Sequence, residues 1–283
     1  MKRAAFEGIE LEYAVQGAGE PVVLIHPGHF AGWFSPLVTE PALIGRYRVL
    51  TYHRVGCAGS SRITGPVSLA QQAAHCRSLM RYLGIGRAHV VGHSSSGNIA
   101  LQLALDAPDA VHSLALLEPA LMSVPSASTS RAFVTTAVQL YRASDKAGAV
   151  DTFLLGTCGP GYRAVLDRAL PGAFDQHVAD ADTFFGQELP ALQQWSFTPD
   201  DARRITQPVL AVTGAKSREL DHIWEERQAL LLAWLPAVEP FVLPEATHLL
   251  QLQNPREMAE GLGAFFARHP IQRRRRIAGS QGR

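Results

Sequence analysis

The run Val90-Val91-Gly92-His93-Ser94-Ser95-Ser96-Gly97-Asn98-Ile99 constrains this chain more than any other. An apolar, β-branched stretch stops abruptly in small residues, and an apolar, helix-compatible segment begins at once. That pattern predicts a strand-to-helix turn so tight that one residue must take a strained backbone conformation. Such a turn lifts a serine hydroxyl clear of its neighbours, and crowding demands small residues two positions to either side. Ser94 meets the demand, with Gly92 before it and Ser96 after it. Ser95 would need a small residue at His93, and Ser96 would need one at Asn98. Ser94 is therefore the expected nucleophile.

The flanking sequence supplies a sheet for that turn. Phe6 to Val15 alternates loosely and reads as one or two strands of an antiparallel edge. Val22 to His26, Tyr47 to Tyr52, Ala88 to Val91, Ser113 to Leu117, Pro208 to Gly214 and Val238 to Leu243 are short apolar runs, suited to buried parallel strands. Helical spacing fills Pro66 to Leu83, Ser95 to Asp106 and His222 to Trp234. Alternating strands and helices imply right-handed crossovers and a mostly parallel sheet covered on both faces. Glu118-Pro119 follows one strand directly, which puts a carboxylate at the C-terminal sheet edge, where open α/β sheets bind ligands.

Between Ser123 and Ile205 the strand alternation stops. Helix-length stretches run through Phe133 to Ala143, Ala147 to Leu155, Tyr162 to Ala169 and Phe174 to Leu189, with many aromatics among them. Hydrophobic residues at 47% and charged residues at 18% predict a well-cored globular protein. A formal net charge of +1 gives no electrostatic case for nucleic acid or for an anionic membrane. Cys57, Cys76 and Cys158 are odd in number and scattered, which fits neither a disulfide framework nor a metal site. A reducing, cytoplasmic setting is expected. The run Arg273-Arg274-Arg275-Arg276 reads as part of a solvated tail.

These residues together resemble the α/β-hydrolase superfamily, whose nucleophile elbow reads Gly-x-Ser-x-Gly. Here Ser96 stands where glycine is usual. His26 matches the start of the family's His-Gly loop, but Pro27 replaces the glycine and has no N–H, so Gly28 would supply the oxyanion donor beside Ser95. His53-Arg54-Val55-Gly56-Cys57-Ala58-Gly59-Ser60 resembles the family's Asp-x-Arg-Gly-x-Gly-x-Ser loop, with histidine at the aspartate position. The Ser123 to Ile205 region resembles the family's helical cap. His248, on a loop after the final strand, matches the general base. The likeness runs from about Ala4 to His269. It implies a hydrolase core over residues 1–122 and 206–269 and a helical cap over 123–205; beyond it, composition leads us to expect a basic, disordered tail over 270–283.

The acid departs from the common pattern. Many members carry it as Gly-x-x-Asp after the strand that here is Pro208 to Val212, and this chain has Gly214-Ala215-Lys216-Ser217. Glu219 and Asp221 lie slightly further on. Glu118 offers the alternative position, after the preceding core strand, as in some dehalogenases and zearalenone-type lactone hydrolases. An acid need only accept the Nδ1 proton and stabilise the imidazolium, so either placement serves; Glu118 is expected. The resemblance thus implies a Ser94–His248–Glu118 triad that hydrolyses an ester or lactone of a fairly apolar small molecule. No metal or organic cofactor is implied. His29 and Trp195 are expected to line the pocket. A carbon–carbon bond hydrolase acting on a diketone-like substrate and a non-hydrolytic binding protein are the alternatives, and a homodimer is compatible with the sequence.

Overall fold

The computed structural model describes residues 1–28 and 30–271, apart from the side chains of residues 128–131. The expected contact from His29 and the expected tail from residue 272 onward lie outside the described residues. Eight strands form one sheet: β1 (Lys2–Phe6), β2 (Ile9–Gln16), β3 (Glu20–Ile25), β4 (Tyr47–Tyr52), β5 (Ala88–His93), β6 (Val111–Leu117), β7 (Val209–Gly214) and β8 (Val238–Leu243). Their order is β1-β2-β4-β3-β5-β6-β7-β8. β1 and β2 pair antiparallel, as do β2 and β4, and every other neighbouring pair is parallel.

The apolar runs are nearly continuous because both faces of these strands are covered. Side chains alternate across a strand, and the core divides accordingly. Val23, Ile25, Val90, Leu114, Leu116 and Ala211 enter one cluster. Their sequence neighbours Val22, Leu24, Val91, Ala115, Leu117 and Val212 enter the other. The first cluster is closed by helices Leu69–Tyr82, Ser95–Asp106 and Ile223–Trp234, and the second by helix Pro255–Arg268. Ser68 starts the first of these helices with a reciprocal cap: its hydroxyl accepts from the Gln71 N–H, and the Gln71 side chain accepts from the Ser68 N–H.

Between β6 and β7 the chain is helical: Ala127–Arg142, Lys146–Cys158, Tyr162–Ala169, Ala173–Ala179, Leu189–Gln194 and Pro199–Arg204. Between the fourth and fifth of these lie a short helix, Ala181–Thr183, and a π-helical turn, Phe184–Glu188. Phe184 reaches a cavity, while Glu188 reaches the buried Arg54. Arg54 also donates to the carbonyls of His26 and Gly28. One guanidinium therefore ties the loop after β3 to the helical insertion.

Candidate active site

The sharp turn begins where β5 ends. Ser94 has φ 53° and ψ −124° and starts the helix Ser95–Asp106. A non-glycine residue held at positive φ is strained, and it persists because the surroundings fix it. The Ser94 N–H donates to the Leu117 carbonyl at 2.9 Å, and the Ser94 carbonyl accepts from the Gly97 and Ala120 N–H groups at 2.9 and 3.1 Å. The tightness is measurable at two glycines. A Cβ on Gly92 would stand 2.3 Å from the Ser96 carbonyl oxygen, and one on Gly97 would stand 2.6 Å from Pro119 Cβ. Ser96, the departure from the usual glycine, fits as a connector. Its buried hydroxyl accepts from the His93 N–H at 2.9 Å and faces the carbonyls of Ile25 and His93, so it joins the ends of β3 and β5.

One strand over, β6 ends in a second strained residue, Glu118, at φ 41°. Its side chain is buried. Oε1 accepts from the Gly214 N–H at 2.9 Å, and Oε2 accepts from His248 Nδ1–H at 2.7 Å. His248 lies on the loop after β8, which is fastened by the Thr247 N–H and hydroxyl donating to Gln253 Oε1 at 2.8 and 3.0 Å. Its ring stacks on Trp224, centroids 3.9 Å apart. Burial pushes the Glu118 carboxyl up to about 7, against the pull of Ser217 and the Gly214 N–H. Burial, with the Arg227 charge nearby, holds His248 well below the usual imidazole range. A neutral imidazole with Nδ1–H fixed on a carboxylate leaves Nε2 free to accept a proton.

Ser94 and His248 line one cavity of about 420 Å³ at the C-terminal edge of the sheet. Gly28 and Ser95 line it too. Ser95 opens its helix, so its N–H has no partner within the helix, and the Gly28 N–H donates to Ser95 Oγ at 2.9 Å. The two expected oxyanion donors are thus side by side. The opposite wall is apolar, with Phe133, Phe153, Leu154, Phe184, Leu189 and Leu192 from the insertion.

The other acid candidates are placed elsewhere. Asp221 lines the cavity, but its Oδ1 accepts from the Ile223 N–H at 2.9 Å. Glu219 is exposed. Ser217, in the common aspartate slot, is buried beside Glu118. An aspartate there would set a second carboxylate against the first. Trp195 needs a correction, because it does not line the cavity. The chain becomes extended at Trp195, and the indole stacks on Phe197 and donates to Gln102 Oε1 at 2.7 Å. That packing belongs to the cluster under the Ser95–Asp106 helix.

Trp224 and Arg227 are among the cavity residues that sequence reasoning missed. A signal was available. The buried positions of the Ile223–Trp234 helix are Ile223, Trp224, Arg227, Leu230 and Leu231, so a cation interrupts an apolar stripe of helical period. Among the described residues no group of three or more histidine, cysteine or acidic side chains is arranged to hold a metal. No described helix is long and apolar enough to cross a membrane.

The profile of the alpha/beta hydrolase family matches residues 22–261, and the chain belongs to that family. A fluoroacetate dehalogenase from Burkholderia sp is 34% identical over 117 residues, which is 39% of this chain and 38% of that protein. The first curated relatives are matched over only 31–41% of their own lengths. Among solved structures, a thermophilic esterase from Thermogutta terrifontis superposes with TM-score 0.79 at 19% identity, over 95% of this chain and 100% of that one. An N-acyl homoserine lactone degrading enzyme superposes with TM-score 0.72 at 25% identity, over 93% and 100%.

Proposed function

We propose that this chain is a serine hydrolase that cleaves a carboxylic ester or lactone of a largely apolar small molecule through an acyl-enzyme. The observation that carries this reading is the Glu118–His248 hydrogen bond of 2.7 Å on the cavity that holds Ser94 at positive φ. Ser94 Oγ attacks the acyl carbon, and His248 Nε2 takes its proton. The tetrahedral oxyanion is held by the N–H groups of Ser95 and Gly28, the latter released from Ser95 Oγ as substrate enters. Loss of one such donor costs on the order of 10²–10³ in rate. The protonated His248, steadied by Glu118, then returns the proton to the leaving oxygen. Water attacks the acyl-enzyme by the same route in reverse. The helices between β6 and β7 act as a cap that shapes the apolar end of the site and keeps water out. Esterase and lactone-degrading neighbours of the same fold are consistent with this chemistry.

A fluorophosphonate probe tests the reading directly. Covalent labelling at Ser94, abolished in Ser94→Ala, is the expected result. A folded protein that the probe leaves unmodified, and that turns over no p-nitrophenyl ester, would count as a binding protein instead.

A further inference from the structure

Arg227 is out of proportion to the part it plays in the fold. It is 6% exposed and lines the cavity. Its Nε–H donates to the Leu121 carbonyl at 2.8 Å, and one terminal nitrogen meets the Met122 sulfur at 3.6 Å. A thioether is a weak acceptor, and a guanidinium has five N–H donors. Among the described residues no carboxylate stands within ion-pair distance of it. Three carboxylates lie close enough to feel its charge, but none bonds to it: Glu226 accepts from the Ser126 N–H and hydroxyl, Glu118 from His248 and Gly214, and Asp221 Oδ1 from the Ile223 N–H. Burying a delocalised cation is costly unless it is paired. One carbonyl bond to the start of the insertion would be served as well by an amide side chain.

The guanidinium is also oriented. Its carbon sits 4.9 Å from the centre of the Trp224 ring, and that same ring stacks on His248. A cation held against an aromatic face keeps its planar fork fixed. The fork therefore stands one indole away from the reacting centre, in a wall that is otherwise mainly apolar.

We propose that Arg227 is a binding site for a carboxylate carried by the substrate, so that the ester or lactone cleaved here is itself an acid with an apolar body. This deepens the serine-hydrolase reading and rests on it for the scissile group. A planar carboxylate matches the fork through two parallel N–H···O bonds. A phosphate dianion fits less well, because Asp221 on the same wall and Glu118 behind His248 would repel its second charge.

The experiment compares matched esters. Mono-p-nitrophenyl glutarate is set against p-nitrophenyl valerate for a charge on the acyl side, and 4-acetoxybenzoate against its methyl ester for a charge on the alcohol side. In one of the two pairs wild-type protein should favour the anionic ester in KM. Arg227→Met should lower the anionic-to-neutral ratio of kcat/KM by about ten- to a hundredfold, and Arg227→Lys should restore part of it. An unchanged ratio in both pairs, or equal loss on anionic and neutral esters, overturns the proposal. Thermal shift with glutarate, benzoate and inorganic phosphate gives a readout independent of turnover. Glutarate or benzoate should raise the wild-type Tm and leave Arg227→Met unmoved, with phosphate inactive. If Ser94 proves unreactive while these carboxylates still bind through Arg227, the hydrolase reading fails and the carboxylate site stands. If the protein hydrolyses neutral esters but is blind to carboxylates, the hydrolase reading stands and the carboxylate site fails.

Discussion

The floor and the roof of the cavity are built on different principles. The floor is the sheet edge, where Ser94 and Glu118 end adjacent strands at positive φ and are pinned by backbone hydrogen bonds. The roof is the insertion, where Phe133, Phe153 and Phe184 meet edge to face with centroids 4.7–6.0 Å apart. Strain and directional bonds fix reacting atoms to a fraction of an ångström. Apolar contact fixes a shape but leaves it deformable. Damage to the floor should therefore appear in kcat and damage to the roof in KM.

The hardest blow to the floor is Ser94→Ala. Under the proposed mechanism this variant loses the nucleophile, which in a triad enzyme costs on the order of 10⁶ in kcat; alanine keeps a Cβ and so the same backbone strain as serine at φ 53°, and the fold should stay intact by circular dichroism. Ser95→Ala, which keeps its backbone N–H, should lose far less. Collapse in Ser95→Ala with Ser94→Ala spared would move the nucleophile by one residue.

Next comes the acid. Glu118→Gln should reduce kcat by about 10⁴, the loss expected when a triad histidine loses the acceptor that sets its tautomer. Asp221→Asn and Glu219→Gln should stay within about tenfold, as carboxylates outside the proposed triad. The pH dependence follows from burial. Because Glu118 is pushed up to about 7, the working ionised form is lost as pH falls through neutrality, and kcat/KM should decline below about pH 7. The same shift acts on stability with the opposite sign. A carboxyl whose folded pKa lies above its unfolded value stabilises the fold below the unfolded value, and that contribution is lost as pH rises through 7. His248, held low, works the other way as pH falls through 6.5. The difference in Tm between wild type and Glu118→Gln cancels most of the histidine contribution. It should move in favour of the variant between pH 5 and pH 8. A flat difference would mean that the carboxyl titrates normally.

Floor and roof are bolted together at Arg54–Glu188, a buried pair with Nη1–Oε1 at 2.5 Å and Nη2–Oε2 at 3.0 Å. Removing one partner of such a pair leaves an uncompensated buried charge and costs about 3–5 kcal/mol. Glu188→Gln should therefore lower stability in urea by that order. Since Arg54 also holds the Gly28 carbonyl, kcat should fall as well. Normal kcat in a destabilised variant would separate the bolt from the oxyanion loop.

How much of this could be read from the chain follows the same division. The floor was legible because strand, turn and helix are local. Crowding at Gly92, Ser94 and Ser96 singles out one serine, and Ser217 in the aspartate slot points back to Glu118. The roof was not. Helix-length stretches marked the insertion, but aromatic content does not say which face of a helix meets a cavity. That depends on how the helices cross, and Trp195 was misplaced for this reason. Arg227 was legible in principle, as the one cation among Ile223, Trp224, Leu230 and Leu231, but only if the stripe is read for its exceptions.

The smallest expected effects test the roof alone. Phe153 stands in the cavity wall with its ring 4.7 Å from Phe184. Phe153→Ala should raise KM for a long-chain ester by about tenfold, the loss of part of an apolar contact worth ~1.5 kcal/mol, with labelling by a small fluorophosphonate unaltered. Trp195→Phe is the matched control. It keeps a ring against Phe197 and gives up the indole N–H bond to Gln102, a half-buried hydrogen bond worth about 1 kcal/mol. It should therefore shift the urea midpoint slightly and leave KM unchanged for short and long esters alike. A KM change in Trp195→Phe equal to that of Phe153→Ala would mean that the apolar wall extends beyond the cavity seen without substrate. The roof would then have to move on binding, and its deformability would be part of how the site selects a substrate.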